Sequence, residues 1–221
     1  MTEERKTFER QIESAMNRYA LTTGAVEFFF AVLDSPHAQV AVSNALFKTT
    51  NAPEWREFGR FVDHEGKQVM WWGPAPIAEI RPHKETIITD LVGKILIEMI
   101  GDVDFYLAQV LLRHYGHADY TGSSWSYFER ISKISLIDEP NGAFVYKALQ
   151  ERHKVEHNRS IIDQRFLEAL EKRGVSHAYQ KGSRIERGHF DVVRSYEAFL
   201  EFVTAVDELV LNAGANRGAN H

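Results

Sequence analysis

The sequence predicts an all-α protein, a helical bundle of long antiparallel helices with a small β-hairpin insertion near residues 58–72. Apolar residues recur at three- and four-residue steps over long stretches, which predicts amphipathic helices. Turn residues separate these stretches, so the helices are expected to pack as antiparallel neighbours. The hairpin is predicted because two short runs, 58–63 and 67–72, flank the turn-like residues His64, Glu65 and Gly66.

The first half of the chain is expected to hold three helices. The first is predicted over about 3–33, from the helical spacing of Phe8, Ile12 and Tyr19. Pro36 predicts the start of a shorter helix that runs to about residue 47, because proline is favoured in the first turn. The widest apolar stripe predicts a long helix over 83–115, and Gly116 is a natural end for it.

The second half is expected to hold four helices. A short one is predicted near 124–134. The next runs from about 143 through the histidine-rich segment, with a break near 158–160. A further helix is expected over 161–172 with Gly174 after it, and a final one over 190–211.

These elements suggest one helical domain over residues 1–211. Within it, 1–82 is expected to form an N-terminal extension that carries the hairpin, and 83–211 the core bundle. Residues 212–221 lack an apolar period and are predicted to be a disordered tail. The 221 residues, 44% of them hydrophobic, suffice to bury a core without disulfides or a structural metal ion.

Composition excludes several classes of site. The chain has no cysteine, which rules out disulfides, thiolate metal sites and cysteine nucleophiles. The polar start has no signal-peptide core, and charged residues interrupt the most apolar stretch, 87–112, too often for a membrane span. We therefore expect a soluble cytoplasmic protein without a membrane partner.

Charge is distributed unevenly along the chain. The formal net charge is −5, yet residues 147–194 hold 11 Lys and Arg against 7 Asp and Glu. Four of the ten histidines lie in the same stretch. Non-specific nucleic-acid binding is not expected of an acidic protein, but a local basic face can meet a phosphate backbone. The alternative is an ordinary solvated surface.

The residues that carry chemistry are concentrated between 152 and 157. His153 and His157 are four residues apart, so on a helix both imidazoles lie on one face. Arg152 beside them offers a planar fork of donors suited to phosphate. A histidine can exchange a proton at neutral pH. This combination suits cleavage of RNA by its own 2′-hydroxyl, in which a cation stabilises charge on the phosphorus oxygens.

The motif resembles that of HEPN domains, in which an arginine, commonly a polar residue, three variable residues and a histidine follow one another. Here Arg152, His153 and His157 occupy these positions. The resemblance covers the motif and the helical architecture, about residues 84–211. HEPN domains are helical bundles that often dimerise around a shared cleft, and many are metal-independent endoribonucleases in toxin–antitoxin, defence or RNA-processing systems.

The resemblance implies roles for individual residues and for partners. Arg152 would contact the phosphate, His157 would be the acid or base, and His153 would be the auxiliary polar group. Basic residues nearby are expected to contact RNA: Lys154, Arg159, Lys181 and Arg184. The implied partners are RNA, a second copy of the chain and a neutralising antitoxin or other protein. Neither a cofactor nor a metal ion is expected.

Three alternatives remain open at this point. A catalytically silent HEPN-like scaffold would bind a nucleotide, RNA or a protein without cleaving. A purely structural role would pair Arg152 with Glu156 at four-residue spacing. A zinc hydrolase would use His153, Glu156 and His157, with a third ligand from Glu168, Glu171, His177 or His189. On a straight helix Arg152 and His157 point about 140° apart, so the reach of the arginine side chain, a helix break or a dimer partner would have to bring them together.

Overall fold

The computed structural model describes residues 1–33, 61–62, 68–70, 84–117, 123–157 and 160–218. Six α-helices lie in these residues, and the predicted all-α class is confirmed. The chain divides into two compact units, one formed by Met1–Arg18 with Val92–His221 and the other by Tyr19–Leu91. The N-terminal extension over 1–82 and the core bundle over 83–211 stay predictions.

The helices follow the apolar periodicity closely. They are α1 (Glu3–Leu33), α2 (Lys84–Tyr115), α3 (Ser124–Ser132), α4 (Gly142–His157), α5 (Gln164–Glu171) and α6 (His189–Gly218). A 3-10 turn, Leu136–Asp138, lies between α3 and α4. The bounds predicted for α1 and α2 are confirmed to within one residue. The short helix predicted from Pro36 lies outside the described residues.

Two helix ends differ from prediction. Helix α5 starts at Gln164 rather than at 161, because the carboxylate of Asp163 caps it by accepting a hydrogen bond from Phe166 N. Ile161 instead forms an isolated antiparallel bridge with Arg184. Helix α6 continues to Gly218, so the prediction of a disordered tail from residue 212 is wrong for the backbone of 212–218. Once a helix is nucleated, it can continue without an apolar stripe.

Part of the predicted hairpin falls in the described residues. Strands β1 (Phe61–Val62) and β2 (Gln68–Met70) pair antiparallel, with Phe61 opposite Met70 and Val62 opposite Gln68. The other residues of 58–72 lie outside the described part of the chain. The complete hairpin insertion therefore stays a prediction.

The core of the larger unit is built from one apolar face of each helix. Phe8 of α1 packs on Tyr106 of α2 at 5.9 Å between ring centroids. Trp125 of α3 packs on Tyr146 of α4 and on Phe202 of α6. Side chains that are fully buried include Phe8, Ile12, Met99, Leu107, Leu111, Trp125, Phe128, Phe166, Phe199 and Phe202. The three- and four-residue spacing of these positions within each helix explains why the sequence pattern predicted the helices well.

The start of α4 requires a glycine. A Cβ added at Gly142 would lie 2.1 Å from the carbonyl oxygen of Leu136 and 2.8 Å from that of Ile137. The absence of a side chain lets the first turn of α4 lie directly against the 3-10 turn. This contact fixes the start of the helix that carries the candidate functional residues.

In the smaller unit, the end of α1 and the start of α2 are joined by an ion pair. Lys84 Nζ lies 2.5 Å from Glu27 Oε2, and the same ammonium lies 5.9 Å from the centroid of the Phe30 ring. The side chains of Phe29 and Phe30 meet edge to face at 5.5 Å. None of the described helices combines the length and the apolar content that a bilayer crossing needs.

Candidate functional site

Helix α4 positions the candidate residues in its last two turns. It runs without a break as far as His157, so the backbone directions at residues 152 and 157 differ by about 140°. Ser160 adopts a left-handed conformation with φ 64°, and its N–H bonds to the carbonyl oxygen of Lys154 at 3.1 Å. This arrangement satisfies a carbonyl of the last turn. The helix end predicted near 158–160 is confirmed.

A cleft of about 620 Å³ opens beside this part of α4. Arg152 and His153 line it together with Arg165, which reaches it from α5. Its charged and polar lining residues are Asp104, Ser123, Gln150, Arg152, His153, Lys154 and Arg165. The structure thus brings two residues of the predicted motif to one cleft and adds a further arginine that the sequence did not single out.

The guanidinium of Arg152 is held against α2. Its Nη1 lies 3.8 Å from Asp104 Oδ2, and Asp104 also accepts a hydrogen bond from the Ser124 hydroxyl. A Cβ added at Gly101 would lie 3.6 Å from Arg152 Nη1, so this glycine leaves room for the guanidinium beside the helix. The Arg152 side chain is 29% exposed and is therefore accessible from the cleft.

The two histidines of the motif differ in what the structure shows of them. The His153 side chain is exposed and lines the cleft. The side chains of Glu156 and His157 lie outside the described part of the chain. The role predicted for His157, the Arg152–Glu156 pair and the zinc-ligand pattern therefore all stay predictions.

Lys154 was predicted to contact RNA, but its ammonium is engaged inside the protein. The side chain is 9% exposed, and Nζ lies 2.6 Å from Asp163 Oδ2. The other oxygen of Asp163 accepts from Phe166 N at 2.8 Å. One carboxylate thus joins the end of α4 to the start of α5. The hydrogen bond from Lys154, and then the one from Phe166 N–H, lower the pKa of Asp163.

We expect Asp163→Ala to lower the free energy of unfolding by about 1–2 kcal/mol at pH 7, because an N-cap is lost and Lys154 loses its partner. The folded-state pKa of Asp163 is lowered, so this carboxylate stabilises the fold above the unfolded-state pKa of about 3.9. That contribution is lost as the pH falls through the folded-state pKa. The difference between wild type and variant should therefore shrink between neutral pH and acid pH.

Urea unfolding at several pH values measures this difference. Glu168→Ala is a matched control, since Glu168 is an exposed acid on the same helix and its removal should change stability by less than about 0.5 kcal/mol. If the difference in the free energy of unfolding between wild type and Asp163→Ala stays constant as the pH is lowered, the result would contradict a role for the carboxylate charge.

The basic loop after α5 lies against the segment that follows α4. Ile162 N donates to Ser183 O at 2.9 Å, Gly182 N to Ile162 O at 2.8 Å, and Ile185 N to Ser160 O at 2.9 Å. Lys181 and Arg184 on this loop are exposed. Arg159 lies outside the described residues. The backbone pairing holds two of the predicted RNA contacts next to the end of α4.

The sequence did not reveal a buried polar cluster on another face of α4. The Glu151 side chain, 4% exposed, forms an ion pair with Arg187 Nη2 and accepts a hydrogen bond from the Tyr179 hydroxyl. Burial, followed by the nearby Asp191 carboxylate, raises the pKa of Tyr179 to about 12, so its hydroxyl remains a donor at neutral pH. Tyr179 and Arg187 are 28 and 36 residues from Glu151 in the sequence, so no local spacing on α4 indicates this cluster.

Among the described side chains, no group of three or more His, Asp or Glu residues is placed to hold a metal ion. Comparison with protein-family models, with curated proteins and with solved structures gives no match.

Proposed function

We propose that the chain is a metal-independent endoribonuclease whose cleft beside α4 binds a phosphodiester of RNA. The observation that carries the proposal is the convergence of Arg152, His153 and Arg165 on one open cleft of about 620 Å³. Guanidinium groups bind phosphate through paired hydrogen bonds, and an imidazole can transfer a proton at neutral pH. The resemblance of the motif to HEPN domains supports the same assignment.

The position of Arg152 favours phosphate binding. At 3.8 Å from Asp104 Oδ2, its Nη1 lies beyond hydrogen-bond distance of that oxygen. Both side chains are partly exposed, 29% for Arg152 and 41% for Asp104, so the guanidinium can be reached from the cleft. A phosphate that enters the cleft offers the guanidinium two oxygens at once. Asp104 then keeps the side chain oriented rather than holding it away from a ligand.

The reaction is an in-line attack of the RNA 2′-oxygen on the adjacent phosphorus. One imidazole accepts the 2′-hydroxyl proton, the P–O2′ bond forms and the P–O5′ bond breaks. A second acid delivers a proton to the leaving 5′-oxygen. His157 and His153 are the proposed acid and base, and Arg152 stabilises charge on the non-bridging oxygens. A second copy of the chain that faces the cleft, as in HEPN dimers, is the proposed means of bringing Arg152 and His157 to one phosphate.

The test is incubation of the purified protein with mixed structured and unstructured RNA, with and without EDTA. We expect cleavage that survives EDTA, and a loss of about 10²- to 10³-fold in rate for Arg152→Ala and for His157→Ala. Arg10→Ala is a matched control, because Arg10 is exposed on α1 and its hydrogen bonds among the described residues go to Lys6 O and Thr7 Oγ1 of the same helix.

Three outcomes would refute the proposed mechanism. Cleavage abolished by EDTA would favour the zinc hydrolase, and cleavage unchanged in both variants would place the activity elsewhere. Tight RNA binding without cleavage under any condition would favour the silent scaffold. Expression of the wild type in a host cell adds an independent readout, since a toxin should slow growth and Arg152→Ala should relieve the effect.

A further inference from the structure

A second cationic surface lies on α4 and α6, away from the cleft. It consists of Lys147 and Phe144 on α4 with Phe190 and Arg194 on α6, and we call it the Lys147–Arg194 surface. Lys147 Nζ lies 5.6 Å from the centroid of the Phe144 ring, and Arg194 Cζ lies 5.1 Å from the same centroid. Two cations from different helices thus meet at one aromatic ring.

The carboxylates near this surface are already engaged. Arg187 forms ion pairs with both Glu151 and Asp191, the latter at 3.5 Å between Arg187 Nη1 and Asp191 Oδ1. Within the described residues neither Lys147 nor Arg194 forms an ion pair. Burial, then the charges of Arg187 and Arg194, lower the pKa of Lys147. The Asp191 carboxylate acts in the opposite direction on the pKa of Lys147, but its ion pair is with Arg187. The surface therefore carries two cations, Lys147 and Arg194, beside one carboxylate that a third cation shares.

An exposed aromatic ring adjoins these cations. Phe190 is 83% exposed, more than any other large apolar side chain of the described residues. It lies in the first turn of α6, four residues before Arg194, so the two side chains are neighbours on one face of the helix. Neighbouring cations and an exposed ring are the two features with which proteins bind single-stranded nucleic acid, the cations at its phosphates and the ring by stacking on a base.

We propose that the Lys147–Arg194 surface binds single-stranded RNA, with phosphate at Lys147 and Arg194 and a base stacked on Phe190. The inference rests on the proposed function for the choice of RNA as the ligand. It adds a binding surface separate from the reaction cleft. Lys147 and His153 are six residues apart on α4, which places them about 120° apart around the helix. A single RNA strand that runs around α4 from Lys147 to His153 would contact both the Lys147–Arg194 surface and the cleft.

The experiment measures fluorescence anisotropy of a labelled 2′-O-methyl RNA of about 12 nucleotides. This ligand has no 2′-hydroxyl and cannot be cleaved by the proposed mechanism. The Arg152→Ala background serves for all variants, so binding is measured independently of the reaction. The variants are Phe190→Ala and the pair Lys147→Gln with Arg194→Gln. The matched controls are Phe28→Ala, which removes a phenylalanine that is 67% exposed on α1, and Arg10→Gln, which removes an exposed cation of the same helix.

We expect Phe190→Ala to weaken binding by about 5- to 150-fold, and to have little effect on an oligomer with abasic sites. The charge variant should lower the slope of log affinity against log salt concentration by about 1.4, which corresponds to two phosphate contacts. The controls should bind as the parent does. Because Phe190 and Arg194 are exposed, their substitution should leave the fold intact.

Unchanged affinity and salt slope in both variants would overturn the proposal, as would no binding of the oligomer by the parent protein. Binding to vesicles of phosphatidylserine without binding to the oligomer would identify a membrane ligand and overturn it as well. The outcome is distinct from that of the cleavage assay. Wild-type cleavage with unaffected Phe190→Ala binding defeats only this inference, and Phe190-dependent binding without wild-type cleavage defeats only the proposed activity.

Discussion

Trp125→Ala is expected to lower the free energy of unfolding by about 3–5 kcal/mol, the range typical of a buried tryptophan replaced by alanine. Trp125 is 1% exposed. Its ring stacks on Phe202 of α6 at 5.5 Å with an interplanar angle of 8° and meets Tyr146 of α4 edge to face at 5.4 Å. The substitution would leave a cavity where α3, α4 and α6 meet, and the rigid rings around it cannot easily fill the space.

Urea denaturation followed by far-ultraviolet circular dichroism measures this loss without relying on tryptophan emission. Trp125→Phe is the matched control. The indole N–H of Trp125 has no hydrogen-bond partner among the described residues, so phenylalanine removes no bond and keeps most of the apolar area. We expect a cost below about 1.5 kcal/mol for this control. A cost for Trp125→Ala no larger than that of the control would contradict the central position of this side chain.

The long helices were predictable because their signal is local. In α2 the buried positions recur at three- and four-residue steps, among them Met99, Val103, Tyr106 and Val110. Gly116 with φ 69° ends the helix where the sequence indicated. An apolar stripe of this length leaves little freedom in where a helix lies, so its bounds follow from spacing alone.

Features that depend on distant residues were not predictable from spacing. The start of α5 is set by Asp163, which has a cap bond to Phe166 and an ion pair to Lys154 on another helix. The apolar residues at 161 and 162 favour an earlier start, whereas Asp163 is itself a local N-cap signal, and its cap bond to Phe166 places the start at Gln164. Helix α6 continues past residue 211 although residues 212–218 have no apolar stripe, so the hydrophobic pattern does not indicate this last part of the helix.

Part of the candidate site was predictable because its signal, like that of the long helices, is local. Arg152 and His153 are neighbours in sequence, and their presence in one cleft follows from one helix. The partners that shape this cleft come from elsewhere, Asp104 from α2 and Arg165 from α5, and nothing in the spacing of α4 identifies them. For Lys154 the local pattern was misleading. A lysine inside a basic segment suggests a solvent-exposed cation, but Lys154 forms a mostly buried ion pair.

Glu151→Ala is the second substitution expected to have a large effect, a loss of about 3 kcal/mol in the free energy of unfolding. Removal of one member of a buried ion pair leaves the other without compensation. Here Arg187, with a side chain 22% exposed, would lose its carboxylate partner on α4, and the Tyr179 hydroxyl would lose its acceptor. Asp191 remains 3.5 Å from Arg187 Nη1, which places the expected loss at the low end of the range for buried pairs.

A double-mutant cycle distinguishes the loss of the ion pair from a loss of packing. The double variant Glu151→Leu with Arg187→Met replaces both charges by apolar side chains of similar volume, a change that is often neutral for a buried pair. We expect it to be more stable than either single variant, with a coupling energy of at least about 1 kcal/mol in urea unfolding. Additive losses would mean that Glu151 and Arg187 contribute independently. In that case the Glu151–Arg187 ion pair would not hold the loop before α6 against α4. Asp191 at the start of α6 would be the remaining acidic partner for Arg187.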